Sequence, residues 1–198
     1  MVRLQNVSGL ALLPYLDALG HLRISVFRDY PYLYEGSLNY ERDYLRIYVD
    51  SPRSLIVLAF DEADRVIGAT TCLPMADEGP EFQKPFVQAG YDVERVCYFG
   101  ESMLLPEYRG QGLGKEFFTR REKHARSLGA DWTTFCAVDR PSAHPLQPPG
   151  YRPLDSFWTS LGYTRQPDLQ ATFVWKEIHE ETESAKTLTF WTKAWPQS

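Results

Sequence analysis

A glycine-rich turn in the middle of this chain has the residue types and spacing to hold a phosphate group. The segment from Glu101 to Lys115 reads as an apolar strand that runs directly into three alternating glycines, Gly110, Gly112 and Gly114. Such glycines let the backbone turn tightly and bring its N–H groups close to a ligand, and a helix that begins at the turn adds a partial positive charge. Apolar residues at helical spacing between residues 115 and 128 predict that helix. We therefore expect an anion-binding turn.

Other glycine motifs fit this turn less well. A P-loop continues from Gly-Lys into Ser or Thr, whereas Glu116 follows Lys115 here and offers no hydroxyl for magnesium. The dinucleotide fingerprint has the spacing G-x-G-x-x-G early in a βαβ unit, whereas this loop has G-x-G-x-G deep in the chain. A plain strand-to-helix turn needs one glycine rather than three.

The turn instead resembles motif A of the GCN5-related N-acetyltransferases (GNAT). The core pattern of that motif, R/Q-x-x-G-x-G/A, is matched by Arg109-Gly110-Gln111-Gly112-Leu113-Gly114, and the preceding Leu104-Leu105-Pro106-Glu107-Tyr108 is similar to the family's usual approach to the loop. A second segment, residues 157–163, resembles the family's closing-helix pattern F-Y-x-x-x-G-F. The same segment is also consistent with a core helix that ends at a glycine cap.

The resemblance implies acetyl-CoA as co-substrate and no metal. In the family, the strand before the loop splays from its parallel neighbour, and backbone amides near Leu104 and Leu105 pair with the pantetheine arm. The pyrophosphate would lie on the N–H groups of the glycine turn. The cofactor-binding residues implied in this way are Met103, Leu104, Leu105, Arg109, Gly110, Gln111, Gly112, Leu113, Gly114, Lys115 and Trp158.

Acetyl transfer to an amine also calls for a proton acceptor. A lysine-like amine has a pKa of about 10.4, so only about one molecule in 2,500 is neutral at pH 7. Many relatives place a glutamate base on the strand before the loop, which implies that role for Glu101. The alternative is a structural carboxylate paired with a neighbouring arginine such as Arg95.

The departing thiolate needs a proton in return. Relatives often use a tyrosine four residues before the closing-helix glycine, but Trp158 stands at that position here. An indole N–H donates a hydrogen bond and cannot act as an acid. Tyr163, Tyr151, Ser160 and solvent are the substitutes, and we assign the role to Tyr163 as the candidate catalytic residue.

The acceptor is expected beside a tyrosine-rich loop, residues 27–36, which in this fold lies between the first two helices. Asp29, Tyr32 and Glu35 are the candidate substrate-binding residues. A tyrosine face attracts cations and a carboxylate adds a charged partner, so the loop favours a cationic small-molecule or peptide amine. The alternative is that the tyrosines pack a helix corner while the carboxylates are solvated.

Periodicity and turn residues predict the elements that position these side chains. Strands are expected at residues 2–7, 54–60, 66–73, from 96 into the glycine turn, at 132–138, 172–178 and 187–194, and helices at 10–27, from a cap at Ser37 or Asn39 to Ser51, at 80–90, 115–128 and 154–161. The strands near 96 and 132 should be parallel because a full helix separates them. The family's acyl-CoA N-acyltransferase fold is then expected over one domain, residues 1–198. It is an α/β fold with a mixed twisted sheet of about six to seven strands, a central splayed parallel pair and helices on both faces.

Composition limits the other classes of protein. With 198 residues and 43% hydrophobic content the chain can bury one sizeable core, and the net charge of −5 argues against nucleic-acid binding. No apolar run approaches the roughly 18 residues of a membrane span and no signal peptide is recognisable, so we expect a cytoplasmic protein that does not bind membranes. Cys72, Cys97 and Cys136 are expected as buried reduced thiols, and no zinc spacing is present.

The sequence thus predicts an N-acetyltransferase that transfers an acetyl group from acetyl-CoA directly to a primary amine. A catalytically weak or inactive acyl-CoA-binding sensor of the same fold is the alternative, supported by Trp158. Transfer to an alcohol or of a longer acyl group also remains open, as does a homodimer.

Overall fold

The computed structural model describes residues 2–196, in which eight strands form one sheet with helices packed on both faces. The strands are β1 (Arg3–Val7), β2 (Leu55–Phe60), β3 (Val66–Pro74), β4 (Val96–Tyr98), β5 (Ser102–Leu104), β6 (Trp132–Val138), β7 (Thr164–Trp175) and β8 (Ser184–Ala194). The helices are α1 (Leu16–Phe27), α2 (Leu38–Asp50), α3 (Pro80–Gln88), α4 (Leu113–Ser127) and α5 (Asp155–Ser160).

The sheet has the strand order β1-β2-β3-β4-β6-β8-β7, and β5 pairs with β3 beyond the end of β4. The pairing of β4 with β6 is parallel, from Val96 opposite Trp132 to Tyr98 opposite Thr134, whereas the other named pairs are antiparallel. Because α4 lies between β4 and β6 in the chain, the second strand can return in the same direction. The predicted mixed sheet with a central parallel pair is confirmed.

The predicted strand that starts at residue 96 and feeds the glycine turn is in fact two short strands. The Phe99 N–H donates to the Thr134 carbonyl of β6, and beyond it β5 pairs with β3 instead of β6. Thr71 fixes the break, because its carbonyl accepts from the Gly100 N–H and its hydroxyl accepts from the Glu101 N–H. A gap therefore opens between β5 and β6.

A glycine is required at this break. A Cβ at Gly100 would overlap the hydroxyl of Tyr48, which lies on α2. The Thr71 hydroxyl in turn donates to the Tyr48 hydroxyl, 3.0 Å away. The close approach of α2 to the sheet thus depends on the missing side chain at residue 100.

The sheet has eight strands rather than six to seven because the segment from residue 96 divides in two. Strand β7 also begins at residue 164, eight residues before the predicted start. Its pairing with β8 shifts register between Gln166 and Gln170, around Pro167 and Asp168. A proline and a bulge interrupt the alternation on which strand prediction depends.

Two apolar clusters cover the two faces of the sheet. Helices α1, α2 and α3 contribute to one cluster, and α4 and α5 to the other. All six residues of β2 are buried, with Ile56 and Leu58 in the first cluster and Leu55, Val57 and Ala59 in the second. This continuous apolar strand is expected where helices cover both faces.

The helical segment Gly9–Phe27 is long and apolar enough to cross a membrane by length and composition alone. The expectation that no apolar run approaches this length is wrong for this segment. It starts as a 3-10 turn, contains Pro14 and continues as α1. Its Leu12, Leu19 and Leu22 belong to the core cluster shared with α2 and the sheet.

Candidate active site

The glycine turn lies between the end of β5 and the start of α4. Gly110 and Gly112 have φ angles of 77° and 83°, a region that residues with a Cβ rarely adopt. Gly112 is the N-cap of α4, and a Cβ at either glycine would meet no atom within 4 Å. The first N–H groups of α4 have no acceptor within the helix. The turn therefore leaves open space in front of backbone donors and the positive end of a helix dipole.

The other residues of the turn fasten it to its surroundings. Arg109 Nε donates to the Leu104 carbonyl at 3.0 Å, which ties the turn to the end of β5. The Gln111 side-chain amide donates to the Glu107 carbonyl at 3.4 Å. Leu113, Gly114 and Lys115 form the first turn of α4, and a Cβ at Gly114 would lie 3.6 Å from the ring of Phe157. The predicted phosphate-binding residues thus come together at one helix N-terminus.

Strand β5 presents alternate backbone groups to the gap. Met103 lies opposite Ala69, the Glu101 carbonyl accepts from the Thr71 N–H, and the Leu105 N–H donates to the Ile67 carbonyl at 3.0 Å. Odd-numbered residues therefore bond to β3, and the backbone groups of Ser102 and Leu104 point toward the gap beside β6. Leu104 is placed as expected for a pantetheine contact. The Leu105 N–H and the backbone of Met103 are used by the sheet.

A cavity of about 680 Å³ occupies the gap, and we call it the cleft cavity. Ser102 of β5 lines it on one side, and Ala137 and Val138 of β6 line it on the other. Phe118 of α4 and Trp158 of α5 also line it, together with parts of the loops at residues 30–32 and 139–155. None of residues 103–117 lines this cavity, so its size suits the part of an extended ligand that lies between the strands, beyond the glycine turn.

A second cavity of about 350 Å³ lies beside the first, and we call it the aromatic cavity. Nine of its lining residues are aromatic: Phe27, Tyr32, Tyr34, Tyr40, Tyr44, Phe82, Tyr98, Phe173 and Trp175. The two cavities share Phe27, Tyr32, Gly100, Glu101 and Cys136. They therefore meet at the break between β4 and β5.

Glu101 is buried at this junction and forms an ion pair with Arg23 of α1. Arg23 Nε also donates to Glu41 of α2, so one guanidinium serves two carboxylates. The side chains of Arg23, Glu41 and Glu101 are 9%, 0% and 5% exposed, and both carboxylate oxygens of Glu101 are buried. We call these three residues the Arg23 triad. The guanidinium of Arg23 also lies 4.1 Å from the ring centroid of Tyr44.

Sequence analysis offered Arg95 as a possible structural partner of Glu101, but the partner in the structure is Arg23. Arg95 instead makes a bidentate pair with Asp131 at 2.6 and 2.9 Å. A signal for the triad was present, because Glu41 occupies the same helical stripe as the buried residues Leu45 and Tyr48. A carboxylate on an apolar stripe needs a buried partner.

A second buried arginine lies on the cleft side of Glu101. Arg121 of α4 is 2% exposed, lines the cleft cavity, and its Nη1 donates to the Glu101 carbonyl at 3.3 Å. Its guanidinium lies 4.3 Å and 4.6 Å from the rings of Phe99 and Phe118. Burial lowers the pKa of Arg121. Sequence analysis did not single out this residue.

Tyr163 is not brought to either cavity. It is 1% exposed, its hydroxyl lies 3.0 Å from Thr133 Oγ1, and it donates to Glu122 Oε1 at 3.1 Å. Burial, together with the charge of Glu122, raises its pKa above the ordinary value. Both facts disfavour Tyr163 as a proton donor to the thiolate. Trp158 does line the cleft cavity, where Tyr151 also lies.

The three predicted acceptor residues separate in the structure. Tyr32 lines both cavities, and burial raises its pKa. Glu35 and the exposed Asp29 line neither. Glu35 pairs with Lys176 at 2.8 Å, and the hydrogen bond from that lysine lowers its pKa. Glu35 lies away from the cavities because of backbone pairing. Its N–H donates to the Lys176 carbonyl, which holds the end of the loop against the segment after β7.

Arg140 holds the same loop over the junction, which sequence reasoning did not anticipate. It donates to the carbonyls of Pro31 and Tyr32 at 2.6 and 3.1 Å, and to Glu177 Oε1 at 2.6 Å. Because Arg140 lies two residues after the end of β6, the position of Tyr32 is fixed relative to the wall of the cleft cavity.

A model of the acetyltransferase (GNAT) family matches residues 19–146, about two thirds of the sequence. The chain belongs to the GNAT acetyltransferase family. It is an acyl-CoA-dependent acetyltransferase. A search of curated proteins found no match.

Solved structures show the same GNAT fold. An Acinetobacter baylyi ADP1 protein assigned as an acetyltransferase has a TM-score of 0.65 at 11% identity, over 100% of this chain and 97% of that one. An acetyltransferase from Streptococcus agalactiae 2603 has a TM-score of 0.60 at 14% identity, over 98% of each chain. The protein yncA from Salmonella typhimurium, solved with its cofactor acetyl-CoA, has a TM-score of 0.60 at 11% identity, over 100% and 95%.

The residues of this GNAT chain fit an acyl-CoA. A side chain at Gly110 or Gly112 would occupy the open space in front of the turn. The helix N-terminus behind that space suits a pyrophosphate. The gap beside β5 offers backbone groups to an amide-bearing arm. Within residues 2–196, no group of three or more His, Cys, Asp or Glu side chains is arranged to hold a metal ion.

Proposed function

We propose that this GNAT enzyme, acting as a single domain, transfers the acetyl group of acetyl-CoA directly to a primary amine. The observation that carries the proposal is the junction of two cavities at Glu101. One cavity begins at the gap beside β5 and the other has an aromatic lining suited to a separate ligand. The presence of acetyl-CoA in yncA, which has the same fold, supports the choice of donor.

In this proposal the backbone provides the contacts to the donor. The N–H groups of residues 110–115 bind the pyrophosphate, and Arg109 holds the turn against β5. Ser102 and Leu104 offer backbone groups to the pantetheine arm. The donor supplies an activated thioester, and these contacts direct its acyl end toward the junction.

The amine approaches from the aromatic cavity and must lose a proton. Glu101 is the candidate base, and because both its carboxylate oxygens are buried and Oε1 pairs with Arg23, the proton reaches it through water. The thiolate has a pKa of about 8.5 and leaves without a dedicated acid, since Trp158 has no acidic proton. Loss of that acid slows the reaction and does not prevent it.

The donor site is tested with two glycine variants. Gly112→Ala and Gly90→Ala both place a Cβ at a φ of 83° with no atom within 4 Å, so both should destabilise the fold by about 1 kcal/mol. Gly90 follows α3 and lies outside the turn. Acetyl-CoA at 100 times its Kd should stabilise the wild type and Gly90→Ala by about 2.7 kcal/mol. Gly112→Ala should bind at least about tenfold more weakly, because the added methyl fills the space in front of the donors.

Calorimetry with acetyl-CoA and release of free thiol across an amine panel give the readouts. Equal affinity of Gly112→Ala and wild type would exclude the turn as the pyrophosphate site. Tight binding of acetyl-CoA with no thiol release on any amine would instead favour the sensor alternative, for which Trp158 and the paired state of Glu101 are the supporting observations.

A further inference from the structure

The aromatic cavity has walls suited to an organic cation. Aromatic faces attract ammonium groups, and three side chains converge closely here: the ring centroid of Phe82 lies 4.9 Å from that of Tyr98 and 4.5 Å from that of Phe173. Two further lining rings, those of Phe27 and Tyr32, have centroids 4.8 Å apart. A pre-formed aromatic enclosure costs little ordering when a ligand binds.

The charges lining this cavity disfavour an anionic ligand. Among the described lining residues, those with charged side chains are Arg23, Glu81 and Glu101. Arg23 is already shared by Glu101 and Glu41, so its charge is more than balanced. Glu81, at the exposed start of α3, adds a further negative charge at the rim. A ligand carboxylate would meet these acids without an uncommitted cation to bind it.

The size of the cavity limits the ligand. A volume of about 350 Å³ lies at the low end of the range for ligand pockets, which fits one ring with a short chain and not a peptide. Because the cavity meets the cleft cavity at Gly100 and Glu101, an amine at the end of that chain reaches the junction.

We infer that the aromatic cavity is the acceptor site and that it selects small arylalkylamines that lack a carboxylate. The inference takes its chemistry from the proposed function. In the transfer, the N–C bond forms and the C–S bond of the thioester breaks. The ammonium gives up two protons, of which one goes to the thiolate and one to solvent.

Binding and turnover are measured with two amines that differ by one carboxylate, 2-phenylethylamine and phenylalanine. Calorimetry is run on the full chain with and without saturating CoA, which cannot be turned over. We expect 2-phenylethylamine to bind at least about tenfold more tightly than phenylalanine, because the carboxylate is buried without a partner. The same preference is expected in kcat/KM with acetyl-CoA.

Two variants act on the cavity wall without disturbing the core. Glu81→Gln should weaken 2-phenylethylamine about 2- to 5-fold, whereas Glu181→Gln, the same change at an exposed carboxylate in the turn between β7 and β8, should not. Tyr40→Leu should also weaken it about 2- to 5-fold, and Tyr40 is 56% exposed, so the fold should persist.

Equal or tighter binding of phenylalanine, or no effect of both Glu81→Gln and Tyr40→Leu, would overturn the inference. Selective binding of 2-phenylethylamine without any acetylated product would support the cavity assignment while refuting acetyl transfer, so the two failures are distinguishable.

Discussion

Replacing Arg23 by methionine should be among the most destabilising single changes in this enzyme. The side chains of Arg23, Glu41 and Glu101 are 9%, 0% and 5% exposed, so the variant leaves two buried carboxylates without their shared cation. Removing one partner of a buried ion pair typically costs about 3–5 kcal/mol. Total stability is only about 5–15 kcal/mol, and for a chain of this length each 1 kcal/mol shifts Tm by about 2–4 °C. The expected loss in Tm is therefore about 6–20 °C.

Urea unfolding followed by circular dichroism measures the effect. The matched control is Arg42→Met, because Arg42 also joins α2 to α1, through Asp17, but these side chains are 44% and 59% exposed. An exposed ion pair contributes little, so the control should unfold close to the wild type.

A triple variant separates charge from packing. Arg23→Met combined with Glu41→Gln and Glu101→Gln removes the cation and both anions together and should recover most of the lost stability, since a buried ionic group can often be replaced by neutral residues of similar volume. The reasoning is refuted if Arg23→Met is no less stable than Arg42→Met, or if the triple variant is no more stable than Arg23→Met.

Three further outcomes are expected. Glu101→Gln should lower turnover about 10²- to 10⁴-fold, and the loss should be smaller at high pH, where the amine loses its own proton. A wild-type rate of thiol release at pH 7 would show that Glu101 has only a structural role, its pairing with Arg23. Burial raises the pKa of Glu78 from 4.5 to about 7, so the folded state favours the protonated form and the wild type loses stability as pH rises from about 4.5 through 7. Glu78→Gln removes this dependence, so between pH 5 and pH 8 its free energy of unfolding in urea should rise by up to about 3 kcal/mol relative to that of the wild type. Parallel plots of unfolding free energy against pH for the two proteins would contradict the burial of an ionisable group. Glu35→Gln should leave the KM for cationic amines unchanged, because Glu35 faces Lys176, and a raised KM would return Glu35 to the acceptor site.

Local pattern predicted the glycine turn and the parallel strand pair well. The positive φ of Gly110 and Gly112 follows from residue type, and the direction of β6 follows from the length of the helix before it. The cap of α2 was also readable, since Ser37 accepts from the Tyr40 N–H. Each of these features depends on residues close together in the sequence.

Contacts between distant segments could not be read in this way. The break between β4 and β5 depends on Thr71, about 30 residues earlier, and the triad joins α1, α2 and the residue before β5. Asp29 and Glu35 line neither cavity, and backbone pairing with residue 176 fixes the position of Glu35. Such pairings are set by how the whole sheet assembles, and a single sequence shows them only indirectly, as with the charged Glu41 on an apolar stripe.

The glycine at the junction of the two cavities limits how this enzyme can evolve. A Cβ at position 100 would overlap the Tyr48 hydroxyl and crowd Thr71 Oγ1, so the packing of both side chains would have to change. The rim of the aromatic cavity carries no such restriction, since Tyr40 and Glu81 are exposed there. Under the proposed function, acceptor preference can therefore diversify by rim substitutions while the point of acyl transfer stays at the junction. We expect mutational scanning to find position 100 intolerant and the rim permissive, with new acceptors arising at the rim.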